Sequence, residues 1–205
     1  PQNYEVGMEC THHGPTKVGV PSMFVEVGSG PDQWDDPTAA EAVARAILDL
    51  RGVEVDAPRE DGETSARRHL VGFDGNHYVP RFERVVRETD WRVGHVAADW
   101  GLEELGDPLD HEDVLRAAFE ESTAEYALID GDRPRVERAI DELGYEIVSE
   151  TWLRTVEGVP LAFVERVEDR LVTVDDGLRF GEPARGYDSS FEIVEIPAAL
   201  LDEAQ

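Results

Sequence analysis

Hydrophobic and polar positions along the chain fall into two alternating rhythms. Short apolar runs at 4–9 and 22–27 predict largely buried strands, joined through a turn at His13-Gly14-Pro15. A helix is expected next: Asp36-Pro37-Thr38 with Glu41 supplies a cap, a first-turn proline and a capping-box pair. Val43, Ile47 and Leu50 line one face at helical spacing, and Gly52 stops it. Residues 54–66 are acidic, poor in apolar side chains and broken by Pro58 and Gly62, which predicts a solvated insertion. A strand follows at 70–73, then a loop carrying His77, a short helix over 81–88 and a strand over 91–97. Pro108 and Asp110 introduce a helix at 111–121 whose apolar face is Val114, Leu115, Ala118 and Phe119. A strand at 126–129 precedes a helix opened by Asp132 and Pro134, with Val136, Ala139, Ile140 and Leu143 inward and Gly144 at its end. A last strand is expected at 145–149.

Strands alternating with helices predict an α/β sandwich with a mixed, mostly parallel sheet. From about Glu150 the pattern changes to acidic turns such as Asp175-Asp176-Gly177. Residues 1–149 are therefore read as one domain and 150–205 as a small acidic α+β appendage.

The formal charge is −27 although 40% of the residues are hydrophobic, so a disordered acidic tail does not account for it. Lys17 is the single lysine; every other cation is arginine. Dense carboxylates with almost no lysine fit a very salty cytoplasm, where a Debye length of roughly 3 Å in molar salt screens the self-repulsion. The single Cys10 excludes an internal disulfide and suits a reducing compartment. No apolar run reaches membrane-spanning length. A first residue other than Met leads us to expect a fragment, and a monomer is expected.

Candidate chemistry sits near the strand ends, where open α/β sheets place ligands. His12 and His13 follow the first expected strand, and His77 follows the third. Glu26 and His95 lie late in their own strands. A carboxylate among Phe24, Val25 and Val27 requires a cation, a hydrogen-bond partner or a metal. Two or three imidazoles with a carboxylate form the ligand set of a hydrolytic zinc site with an open position for water. The competing reading makes each histidine a hydrogen-bonded structural residue and pairs Glu26 with a buried arginine. Cys10 reads as a small core residue, and His69 and His111 as structural. Arginine faces at Arg81, Arg84 and Arg87, and at Arg133, Arg135 and Arg138, are candidates for a phosphate backbone, against ordinary pairing with Glu83, Glu88 and Glu137.

Several blocks resemble the archaeal and plant type of D-aminoacyl-tRNA deacylase. They are Glu9-Cys10-Thr11-His12-His13-Gly14-Pro15-Thr16, Val20-Pro21-Ser22-Met23-Phe24-Val25-Glu26-Val27-Gly28-Ser29, Val71-Gly72-Phe73-Asp74-Gly75-Asn76-His77-Tyr78-Val79-Pro80-Arg81 and Asp90-Trp91-Arg92-Val93-Gly94-His95-Val96. The resemblance implies a three-layer sandwich of the phosphorylase/peptidyl-tRNA hydrolase kind. It also implies a zinc-dependent hydrolase that cleaves the ester between a D-amino acid and tRNA. Carried over, the expected functional set is His12, His13, Glu26, His77 and His95. Of these, His12, His13, Glu26 and His95 are expected metal ligands, and Glu26 and His77 catalytic groups. Arg81, Arg84, Arg133 and Arg135 are the expected tRNA contacts. The chain departs from the family pattern where Asp74 and Asn76 interrupt a glycine run, at Val96-Ala97-Ala98-Asp99 and at Asp130-Gly131-Asp132. The family also carries a long amino-terminal half that these residues do not match. A peptidyl-tRNA hydrolase or metallopeptidase-like amide hydrolase on the same scaffold, and an inactive fragment or binding module, remain rival readings.

Overall fold

The computed structural model describes residues 4–14, 18–54 and 68–185. The expected insertion lies almost wholly outside them, as do residues 186–205. Four strands form one parallel sheet: β1 (His69–Phe73), β2 (Arg92–Ala97), β3 (Tyr126–Ile129) and the short β4 (Glu146–Ile147), in the order β2-β1-β3-β4. The helices are α1 (Pro31–Trp34), α2 (Pro37–Asp49), α3 (Pro80–Glu88), α4 (Asp99–Leu105), α5 (Glu112–Ser122), α6 (Pro134–Leu143), α7 (Glu150–Thr155) and α8 (Leu161–Glu168). None among the described residues is long and apolar enough to cross a membrane.

The central strands β1 and β3 are apolar almost throughout because both of their faces are covered. Successive side chains then serve opposite cores. Leu70, Tyr126 and Leu128 join Phe82 and Val85 of α3 on one face. Val71, Phe73, Ala127 and Ile129 join Leu102 of α4, Leu115 and Phe119 of α5, and Val136, Ala139 and Ile140 of α6 on the other. Gly72 is the point of closest approach: a Cβ there would lie 2.6 Å from the Phe82 ring, so glycine lets α3 settle on the sheet.

Described residues beyond 149 pack against the sheet. Trp152, Leu153, Val156, Val159, Val164 and Val174 belong to the same core as α3. Arg68, 2% exposed, donates to the Val156 and Val159 carbonyls beneath the Trp91 ring, and the Trp91 indole donates to the Leu153 carbonyl. Residues 150–185 thus contribute α7, α8 and turns to that core.

Among the described residues, the runs at 4–9 and 22–27 do not enter the sheet. The first ends by clasping its edge: Thr11 N donates to the Val96 carbonyl, and Val96 N donates to Thr11 Oγ1. One hydroxyl substitutes for a ladder bond, so the segment touches β2 without pairing along it. The apolar face expected to bury α2 is open, with Ile47 and Leu50 exposed; Ala39 is its buried residue. Asp36 caps α2 as expected, accepting from Thr38 N at 2.8 Å, but Glu41 pairs with Arg45 instead of closing a capping box.

Candidate active site

The edge clasp carries the site. Directly before and after Thr11 stand Glu9, Cys10, His12 and His13, and Cys10 N donates to the His77 carbonyl at 2.9 Å. That bond ties the segment to the loop leaving the carboxyl end of β1. The loop turns through two residues of positive φ, Asp74 and Gly75, and is fixed on both sides. Asp74 N donates to the Ala97 carbonyl, and Asp99 N donates to the Gly75 carbonyl. Arg133 donates two parallel hydrogen bonds to the Asp74 carboxylate at 2.7 and 2.6 Å, holding it below the usual carboxylate range. Gly131 is required beside it, since a Cβ there would lie 2.4 Å from Asp74 Oδ2.

These constraints bring His12, His13 and His77 together, with ring centroids 4.1 Å apart for the first pair and 4.6 Å for His12 and His77. Glu26 arrives from the second apolar run, its Oε2 3.1 Å from His13 Nε2. His12 Nδ1 lies 2.8 Å from the Cys10 carbonyl, which can only accept, so that nitrogen is the donor and Nε2 faces the site. Glu9 completes the group: its carboxylate lies 3.9 Å from His12 Nε2 and 3.6 Å from His77 Nε2. The neighbouring Glu26 carboxylate is the main cause raising the Glu9 carboxyl, and Glu9 is the main cause lowering that of Glu26.

Two sets of ligand atoms converge within 4.8 Å: Cys10 with His12 and His77, and His12 with His13 and Glu26. His95 is in neither. It lies on β2 with its backbone N–H bonded to Ser122 Oγ of α5, and burial pushes its imidazole pKa down. The four arginines expected to face phosphates are each engaged by carboxylates. Arg81 reaches Asp130 and Glu150; Arg84 holds Glu150; Arg133 holds Asp74; Arg135 holds Asp107. Most partners are distant in sequence rather than the helical neighbours the sequence pattern predicts.

Glu9 and Cys10 are the site residues that the sequence reading did not select. Glu9 stands three residues before His12, but its role depends on His77 and Glu26 arriving from elsewhere. Cys10 is buried, as read, but its Sγ is 3.7 Å from His77 Nδ1. Burial raises the thiol pKa, while a hydrogen bond from Trp100 opposes the shift.

Residues 1–148 match the family model for D-aminoacyl-tRNA deacylase. The chain belongs to that family. It is 57% identical over 204 residues to a D-aminoacyl-tRNA deacylase of Natronomonas pharaonis, covering 100% of this chain and 44% of the relative. A second, from Haloarcula marismortui, is 56% identical over 209 residues, covering 100% of this chain and 46% of the relative. One from Methanosarcina acetivorans is 35% identical over 162 residues, 76% of this chain and 49% of the relative. The chain spans about half the length of the curated relatives it matches. The solved structure of AF0625, a conserved protein of unknown function, is similar with a TM-score of 0.57 and 32% identity, covering 73% of this chain and 50% of that one. The likeness supports the α/β fold with its parallel sheet. The acidic, lysine-poor composition accords with relatives from Natronomonas, Haloarcula and Halobacterium.

Proposed function

We propose that this chain carries the hydrolytic centre of a D-aminoacyl-tRNA deacylase, cleaving the ester between a D-amino acid and the terminal ribose of tRNA. The observation that carries the reading is the convergence of three imidazoles and two carboxylates where the edge clasp meets the β1 loop. The separate core on each face supports the finer description of the fold as a three-layer sandwich. The single cysteine and acidic surface support a reducing, salt-rich cytoplasm.

The donor set fits a divalent cation. The Nδ1–H of His12 is fixed by a backbone carbonyl, the orientation that metal-bound imidazoles commonly use, and Glu26 lies 3.1 Å from His13 Nε2. His12, His13 and Glu26 are the residues that would hold zinc. Bound there, zinc would polarise the ester carbonyl and stabilise negative charge on its oxygen. His77 is then the imidazole left to move a proton. It takes one from the attacking water and returns it to the ribose oxygen as the carbon–oxygen bond breaks. Glu9, 3.6 Å from His77 Nε2, orients that ring. The four arginines take no part in this reading, since each already holds a carboxylate.

Elemental analysis of protein purified in molar potassium chloride tests the metal, on wild type and His13→Ala. The expected result is zinc in the wild type, reduced in the variant. Hydrolysis of D- over L-aminoacyl-tRNA, with matched amide substrates left intact, is expected alongside. Cleavage of amides instead would favour the peptidase-like reading, and a well-folded chain with neither metal nor activity would favour a binding module.

A further inference from the structure

The imidazoles are part of a longer row of rings. Phe24, His13, His12, His77 and Tyr78 follow one another with centroid separations of 5.2, 4.1, 4.6 and 5.1 Å. The interior of the row holds the three imidazoles. Its two ends are purely aromatic, and they are open: Phe24 is 57% and Tyr78 58% exposed.

Both ends are held in place. Tyr78 sits in a turn closed by its own N–H donating to Asn76 Oδ1, and the next residue, Val79, is fully buried with a positive φ. A buried anchor directly after an exposed ring keeps that ring at the surface. Phe24 lies two residues before Glu26, a spacing that puts both on one side of an extended segment. His13 touches them both.

We propose that Phe24 and Tyr78 form a stacking platform for the unpaired nucleobases at the 3′ end of the tRNA. The inference rests on the reading above and names how that substrate is held. The scissile ester is attached to the sugar of the terminal nucleotide, so its base enters the site with the ester. Phosphate-led binding is poorly served here. The chain carries −27 charges, and Arg81, Arg84, Arg133 and Arg135 are each held by carboxylates. In molar salt, screening and the loss of counterion release weaken that route further. Stacking of bases on aromatic rings needs no net charge and survives salt. An open ring at each end of the imidazole row supplies it where the substrate's chemistry requires it.

Binding of the single-stranded RNA trinucleotide cytidine-cytidine-adenosine, measured by anisotropy of a 5′ label across 0.5–3 M potassium chloride (a range of about sixfold), tests the platform without requiring hydrolysis. Phe24→Ala and Tyr78→Ala are each expected to raise Kd roughly 5- to 100-fold. Phe24→Tyr and Tyr78→Phe, which keep the ring, are expected to stay within about twofold, and Kd should change little with salt. Near-UV circular dichroism confirms folding, which exposed substitutions leave intact. Alanine variants that bind like wild type would overturn the proposal. So would a wild type that binds no trinucleotide, or affinity that falls steeply with salt. Ring removal that alters self-association while RNA affinity holds would mark a protein-facing surface and overturn it too. The two readings fail separately. RNA binding that depends on the rings, without ester cleavage, leaves the platform standing and sinks the deacylase reading. Ester cleavage with RNA binding indifferent to the rings does the reverse.

Discussion

Residues 68–185 and residues 4–54 carry similar sequence patterns and reach opposite states. In the first, apolar runs become a parallel sheet with a core on each face, and Leu70, Val71, Phe82 and Phe119 are almost wholly buried. In the second, Val20, Met23, Phe24, Ile47 and Leu50 remain exposed. Polar groups divide the same way. Arginines of the sheet region are matched one by one to carboxylates, whereas the edge segment gathers two carboxylates and two neighbouring imidazoles at one point. A region that satisfies its charges is built for stability. One that gathers carboxylates and imidazoles around a single point is poised to bind a cation or move a proton.

The largest test of this contrast is a pair of truncations. Phe82→Ala removes a ring that fills the space over Gly72 and is expected to lower stability by about 3–4 kcal/mol in denaturant titrations. Met23→Ala in the open segment is expected to change it by less than about 0.5 kcal/mol. Equal losses would mean that the edge segment is packed as firmly as the sheet.

Arg133→Gln comes next. It leaves the Asp74 carboxylate, 7% exposed, without its bidentate partner and is expected to cost roughly 2 kcal/mol. Because Asp74 anchors the loop that carries His77, metal affinity should fall as well. Unchanged affinity would separate the anchor from the site.

Glu150→Gln probes the link between α7 and α3. Hydrogen bonds from Arg84, and then Arg154, push the Glu150 carboxyl down to about 2. A depressed folded pKa gives stability that is fully present above the unfolded value near 4.5 and is lost as pH falls toward 2. Allowing for the exposed arginines, the variant should be about 1–2 kcal/mol less stable at pH 6, with the gap closing as pH falls. A gap independent of pH would assign the loss to packing.

Legibility followed the range of the forces involved. Helices α3, α5 and α6, and strands β1 and β3, could be read because cap, apolar face and stop lie within a dozen residues. Helix α7 could not: Ser149 caps it by accepting from Trp152 N, but a serine ahead of six residues reads equally well as a turn. The strands expected at 4–9 and 22–27 had suitable side chains, but a strand exists only where another offers its edge. The histidines could be picked out by residue type, whereas separating His95 from His12, His13 and His77 required knowing that β2 sets His95 beside α5.

The sequence by itself determined the alternation of helix and strand, the family and its salt-adapted surface, because these depend on local periodicity, motif and composition. Only the tertiary structure decided that Trp152, Leu153 and Val164 pack against α3, that the four arginines are already held by carboxylates, and that Glu9 and Cys10 stand among the imidazoles. Each of these is a contact between side chains dozens of residues apart, and one-dimensional spacing carries no record of such contacts.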